Sequence, residues 1–208
     1  FKKEIFMTNN EVKNTISTIK VLNDSIKSRP NVVLIILESF GKEYIGSLNK
    51  NTKIKNYQSY TPFLDSLSKN SLIFTNAFSN GRQSIEALPA ILASIPSFKV
   101  PFTSSPYSNQ EIQSLVSVFN TLGYETSFFH GAPNGSMGFS GLSNILGFNN
   151  YFGKNEFNNN SLYDGYWGIW DEPFFKFIKK ELDKTKEPFF TTMFSLSSHE
   201  PFKVPEEY

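Results

Sequence analysis

The sequence predicts an α/β fold in which helices cover both faces of a mostly parallel sheet. Three observations carry this reading. Residues 32–37 form an unbroken apolar run rich in β-branched side chains, the pattern of a strand buried in a parallel sheet. Strand-like and helix-like segments then alternate, as βαβ units require. Finally, Glu38, His130 and His199 each come after an apolar run, and ligands of open α/β sheets gather at the carboxyl ends of strands.

The elements run in order along the chain. Residues 11–26 carry Val12, Ile16, Ile19, Val21 and Leu22 among Lys, Asn and Ser, a loose helical period that reads as a connector over 1–30. Arg29-Pro30 breaks it before the first strand. Thr61-Pro62 opens a helix to about Lys69, threonine as N-cap and proline at the first helical position. Residues 72–78 read as a second strand, and the turn 79–83 introduces a helix over 84–93 that Pro89 should shorten or kink. After a polar loop over 101–109 comes a helix over 112–122, closed by Gly123, and a strand over 124–129. A glycine-containing loop (131–138), a short helix (140–146) and a short strand (149–152) come next. A helix over 171–182 has Pro173 in its first turn, and a last strand over 188–196 leads into Ser197-Ser198-His199.

Composition narrows the function classes. A chain of 208 residues suits one large domain, here read as 31–208. Net charge is +1 with no Lys or Arg cluster on a predicted face, so nucleic acid is disfavoured as a partner. Without cysteine there are no disulfides, thiolate metal sites or cysteine nucleophiles. The longest apolar run, 32–37, falls far short of the ~20 residues of a membrane helix. Most of the 22 phenylalanines belong in the core.

Glu38 is either a metal ligand at a strand end or a surface glutamate. Ser84 comes after Gly81-Arg82-Gln83 and opens a helix, where free N–H groups and the helix dipole favour an anion. It is either a nucleophile toward phosphorus or sulfur or simply the N-cap, and the two roles can coexist. With no cysteine and no histidine nearby in sequence, a divalent cation is the natural activator of its hydroxyl, and Glu38 the first ligand for that cation. Arg82 could contact a phosphate oxygen or be an ordinary loop arginine. His130 and His199, the chain's two histidines, suit substrate binding or structural hydrogen bonding. Trp167 and Asp171, in Asp164-Gly-Tyr-Trp-Gly-Ile-Trp-Asp171, suit a polar pocket wall, or a helix start on the core with Asp171 as N-cap.

Five segments form an ordered pattern: Asn31-Val-Val-Leu-Ile-Ile-Leu-Glu38-Ser39-Phe40, Thr61-Pro-Phe-Leu-Asp65, Phe74-Thr-Asn-Ala-Phe78, Asn80-Gly-Arg-Gln-Ser84-Ile-Glu-Ala-Leu-Pro and Ser197-Ser-His199-Glu-Pro-Phe. Together they resemble the lipoteichoic-acid-synthase-like, phosphoglycerol-transferase branch of the sulfatase and alkaline phosphatase superfamily, over residues 31–208. The resemblance implies a three-layer sandwich in a membrane-anchored enzyme of the cell envelope, with its globular part facing outward. It implies a divalent cation, manganese first with magnesium, zinc or calcium as alternatives, that activates a serine or threonine. That hydroxyl takes a phosphoryl-containing or sulfuryl group from a lipid- or glycan-linked ester, and an acceptor alcohol or water receives it. By position, Glu38 and Ser84 look like metal ligands, Ser84 also like the nucleophile, and His130 and His199 like pocket histidines. Arg82 would bind substrate, as would Trp167 and Asp171, which stand in a tryptophan-glycine-x-x-aspartate pattern of this branch.

Two departures matter. The nucleophile position is serine where the glycerol-phosphate polymerases generally have threonine, and the loop after His130 lacks the acidic, tryptophan and arginine residues expected to hold glycerol phosphate. The branch also completes its metal site downstream of the Ser-Ser-His-x-Pro-Phe segment, so the expectation is a domain incomplete at its carboxyl end, inactive alone, with a membrane region preceding residues 1–30. A non-catalytic envelope binding module of the same fold is the alternative. A sulfate-ester hydrolase ranks last, because Ser84-Ile-Glu-Ala-Leu lacks the proline and arginine of the sulfatase signature.

Overall fold

The computed structural model describes residues 8–11, 28–49 and 55–206. Four strands, β1 (Val32–Ile36), β2 (Glu125–His130), β3 (Asn150–Phe152) and β4 (Phe189–Phe194), form one sheet in the order β1-β4-β2-β3. Every pairing is parallel. The helices are α1 (Pro62–Ser68), α2 (Ser84–Ala93), α3 (Leu115–Thr121), α4 (Phe139–Leu146), α5 (Lys154–Phe157) and α6 (Asp171–Leu182).

Side-chain alternation divides the strands between two cores. Val32, Leu34 and Ile36, with Phe128, Phe190 and Phe194, pack against Leu88 and Leu92 of α2, Val116 of α3 and Phe139, Leu142 and Leu146 of α4. On the opposite face Phe129 and Met193 meet Phe174 and Ile178 of α6, together with Ile169. The result is the three-layer α/β arrangement that the sequence predicts. β2 and β4 hold the middle of the sheet and are buried almost throughout, whereas β1 pairs with β4 and leaves Val33 and Ile35 exposed on the α6 side.

Several expectations need correction. Residues 72–78 form no strand: Leu72 and Phe78 are 83% and 93% exposed, and the run has neither a ladder partner nor a face to cover it among the described residues. A β-prone run without those contacts has little to hold it extended. Pro89 does not shorten or end α2. It removes a single helical bond, its ring is buried, and its carbonyl accepts the Ile95 N–H where Ser94 closes the helix in the left-handed conformation. α3 starts three residues later than predicted because Ser114 is its N-cap, accepting the Ser117 N–H at 2.9 Å. Its end is as expected, with Gly123 at φ 79°. Thr61 precedes α1 as predicted, but its hydroxyl makes no cap bond. The short helix α5 is an addition. The connector expected over 11–26 lies outside the described residues except for Glu11, and among the described residues no helix is long and apolar enough to cross a membrane.

Candidate active site

The register sets Ile36, Phe194 and His130 level across three neighbouring strands. The segments that leave these strands therefore meet at one sheet edge: Glu38 after β1, residues 195–198 after β4, and Gly131 after β2. Glu38 shares the parity of Ile36, whose side chain points toward α2, and so reaches the start of that helix. There Ser84 Oγ donates a hydrogen bond to Glu38 Oε2 at 2.7 Å. Ser39, at φ 52°, donates its hydroxyl to the other carboxylate oxygen at 3.1 Å. The Glu38 backbone is held on both sides, its N–H donating to Ser195 Oγ at 2.8 Å and its carbonyl accepting from Ser198 Oγ at 2.5 Å.

Ser84 is the first residue of α2, not its cap. Gln83 is the N-cap, and Glu86 turns back so that Oε2 accepts the N–H groups of Arg82 at 2.8 Å and Gln83 at 3.2 Å. The Ser97 hydroxyl donates to the same carboxylate. That hydroxyl and then the Arg82 N–H hold the Glu86 carboxyl below the usual range. Glu86 thus satisfies the N–H groups just ahead of the helix, and the Ser84 hydroxyl faces Glu38.

His130 ends β2 and is 1% exposed. Its Nδ1 lies 3.2 Å from the Phe194 carbonyl, so Nδ1 carries the proton and donates. Nε2 is buried with no partner among the described residues. Desolvation between Phe139 and Phe194, whose centroids each lie 5.3 Å from the imidazole, pushes the pKa down to about 4. The Phe194 carbonyl and the charge of Glu38 oppose that shift in part. His130 is a neutral ring with one acceptor to spare.

Trp167 and His199 form a separate pair, ring centroids 4.1 Å apart, and both bond to the Glu200 carbonyl, from Trp167 Nε1 at 2.6 Å and His199 Nδ1 at 2.9 Å. Asp164 Oδ1 shapes their loop by accepting the N–H groups of Tyr166, Trp167 and Gly168. Asp171 is the first residue of α6 and Trp170 the N-cap, so the alternative of Asp171 as cap does not hold. Its carboxylate accepts the N–H groups of Leu196 at 2.8 Å and Ser197 at 2.9 Å, and its own N–H donates to Ser197 Oγ. Burial pushes its carboxyl up, against those hydrogen bonds. Asp171 braces the segment after β4 by bonds to the chain alone. Arg82 has no side-chain partner among the described residues and faces a cleft of about 560 Å³.

Glu38 and Ser84 offer adjoining oxygen donors, the kind hard divalent cations take, yet such sites use four to eight ligands. Among the described residues no group of three or more His, Cys, Asp or Glu converges. The donors present therefore fit part of a metal site. Ser195 and Ser198, which fix Glu38, escaped the sequence reading because their role depends on β4 lying beside β1, and only the Ser-rich run after an apolar strand hinted at it.

The sulfatase family model matches residues 30–208. A protein of the alkaline phosphatase superfamily from Vibrio parahaemolyticus superposes with a TM-score of 0.74 at 25% identity, over 86% of this chain and 43% of its own. The lipoteichoic acid synthase LtaP from Listeria monocytogenes gives 0.66 at 26% identity, again over 86% of this chain and 43% of its own. The C-terminal periplasmic domain of EcEptC from Escherichia coli, solved in complex with Zn, gives 0.60 at 18% identity, over 86% and 48%, a likeness of fold. This chain spans less than half the length of each.

Proposed function

From the premise that the chain belongs to the sulfatase family, we propose that it carries the nucleophile-bearing part of a metal-dependent phosphoryl or phosphoglycerol transferase, or phosphoester hydrolase, of the cell envelope. The observation that carries the reading is the 2.7 Å bond from Ser84 Oγ to Glu38 Oε2 at the carboxyl edge of a parallel sheet. A hydroxyl so placed points its proton at a carboxylate and turns a lone pair outward. A divalent cation bound at these oxygens supplies the activation a serine lacks at neutral pH, as it does for bound water. Manganese is the first choice, and zinc enters the comparison because a neighbour of this fold was solved with it.

In the proposed reaction Ser84 Oγ attacks phosphorus, the Oγ–P bond forms, and the P–O bond to the donor alcohol breaks as that alcohol leaves with a proton. An acceptor alcohol or water then attacks phosphorus, the Oγ–P bond breaks, and Oγ regains a proton as the acceptor gives one up. In this proposal Trp167 and His199 contact the substrate beyond the reacting ester, while the buried His130 holds the strand end through its Nδ1 bond to the Phe194 carbonyl. The likeness to a lipoteichoic acid synthase supports a lipid- or glycan-linked phosphoester as substrate. In this proposal the domain over 31–208 belongs to a longer enzyme, anchored in the membrane through segments outside this chain and facing outward, whose remaining metal ligands come from elsewhere in the protein.

The second reading, a non-catalytic module binding an envelope ligand, is favoured by the partial donor set. Turnover of phosphomonoester, phosphodiester and sulfate-ester substrates by the full-length protein with manganese separates the two. The proposal expects phosphoester turnover that falls at least about a thousandfold in Ser84→Ala, the scale on which loss of a covalent nucleophile acts. Metal-loaded, folded protein that turns over no ester and transfers no group would support the binding module.

A further inference from the structure

The cleft beside Ser84 holds two cationic side chains that the Glu38–Ser84 pair leaves unused. It opens at Gln83, next to the candidate nucleophile, and Ser79, Arg82, Glu86, Ser97 and Lys99 line much of it. Arg82 comes from the turn before α2 and Lys99 from the segment after it, and neither side chain has a partner among the described residues. Glu86, the acidic group in the cleft, is already engaged by the Ser97 hydroxyl and two backbone N–H groups. Its carboxylate is consumed within the chain, whereas both cations stay open to solvent. The remaining lining offers hydroxyls and amides, so the cleft suits an anion rich in acceptor oxygens.

We propose that this cleft binds a second phosphate group, distinct from the one that reacts at Ser84, with Arg82 and Lys99 as its charged contacts. The inference rests on the phosphoester reading of the Ser84 site and adds a substrate class: anions carrying a second phosphate, from a lipid head group or from a soluble phosphate ester. A guanidinium gives the phosphate a planar two-point contact, and the ammonium adds a mobile point charge in the same cleft.

Binding of inorganic pyrophosphate to the full-length protein, measured by calorimetry in EDTA, tests the site without turnover or metal. Ser84→Ala should bind as the parent does, and Lys99→Glu, at an exposed position with an unchanged melting temperature, should weaken binding about tenfold or more. Sedimentation with phosphatidylcholine vesicles containing phosphatidic acid separates the sources. Lys99-dependent binding to vesicles alone assigns the cleft to a lipid head group, and Lys99-dependent pyrophosphate binding to a soluble phosphate. Binding to neither, or binding that Lys99→Glu and Arg82→Ala leave unchanged, overturns the proposal. Intact Lys99-dependent binding in a protein without turnover would contradict the transferase reading and leave the cleft standing.

Discussion

Asp171, half-buried, and His130, fully buried, are ionisable groups at the same sheet edge, and they contribute by opposite means. Asp171 accepts two backbone N–H groups from the segment after β4, which would be orphaned by truncation. Asp171→Ala should cost about 2–4 kcal/mol in denaturant unfolding, and Asp171→Asn, which keeps one acceptor oxygen, about half of that. His130 is held neutral. With an unfolded pKa near 6.5 and a folded pKa of about 4, the unfolded chain binds the extra proton in that window. Stability therefore rises with pH between about 4 and 6.5, and on the order of 3 kcal/mol is lost as pH falls through it. His130→Phe should flatten this dependence in unfolding curves recorded from pH 4 to 7. A dependence that persists unchanged would assign it to other groups.

At the scale of elements, the loop before α6 is set by a glycine for reasons of space. Gly131 O would lie 2.5 Å from a Cβ at position 168, while Ile169 donates its N–H to that same carbonyl at 2.9 Å. Gly168→Ala should push the 164–169 loop off the end of β2, cost at least about 2 kcal/mol, and part the Trp167–His199 rings, seen as a change in tryptophan fluorescence. Most elements are legible in the sequence. Residues 32–37 announce β1 as an apolar, β-branched run, although only one of its faces is covered among the described residues, and Gly123 marks the end of α3 because few other residues tolerate φ 79°. Residues 72–78 mislead because β propensity measures packing on a pleated surface, and here the surface is missing among the described residues. Ser84 stands out in the sequence as a hydroxyl at a helix start, and the fold sets it beside Glu38. That Glu86 turns back onto the N–H groups of Arg82 and Gln83 cannot be read without its side-chain direction, and the bracing role of Asp171 depends on contacts 25 and 26 residues away.

For the molecule as a whole, the parallel order β1-β4-β2-β3 gathers three strand ends, and the candidate site lies where they meet. Glu38 arrives on β1, Ser84 on the helix that packs across it, and Ser195 and Ser198 on the turn after β4. No single segment contains the site. In the proposed metal-dependent enzyme, a cation that binds the folded state at Glu38 and Ser84 raises the melting temperature by mass action, by about 2.7 kcal/mol of stability at a hundred times its Kd. Full-length protein titrated with manganese should show that rise, and Glu38→Gln should reduce it sharply. A rise of equal size in Glu38→Gln would move the metal elsewhere.

The proposed chemistry stands or falls on whether Ser84 becomes covalently attached to the transferred group, which intact-mass and peptide mapping can read in full-length protein quenched in acid during turnover of a phosphodiester donor. The expected result is an added mass equal to the phosphoryl-containing group, confined to the peptide bearing Ser84 and absent from Ser84→Ala. Turnover with no adduct at any time point, or an adduct on another residue, would refute the serine mechanism.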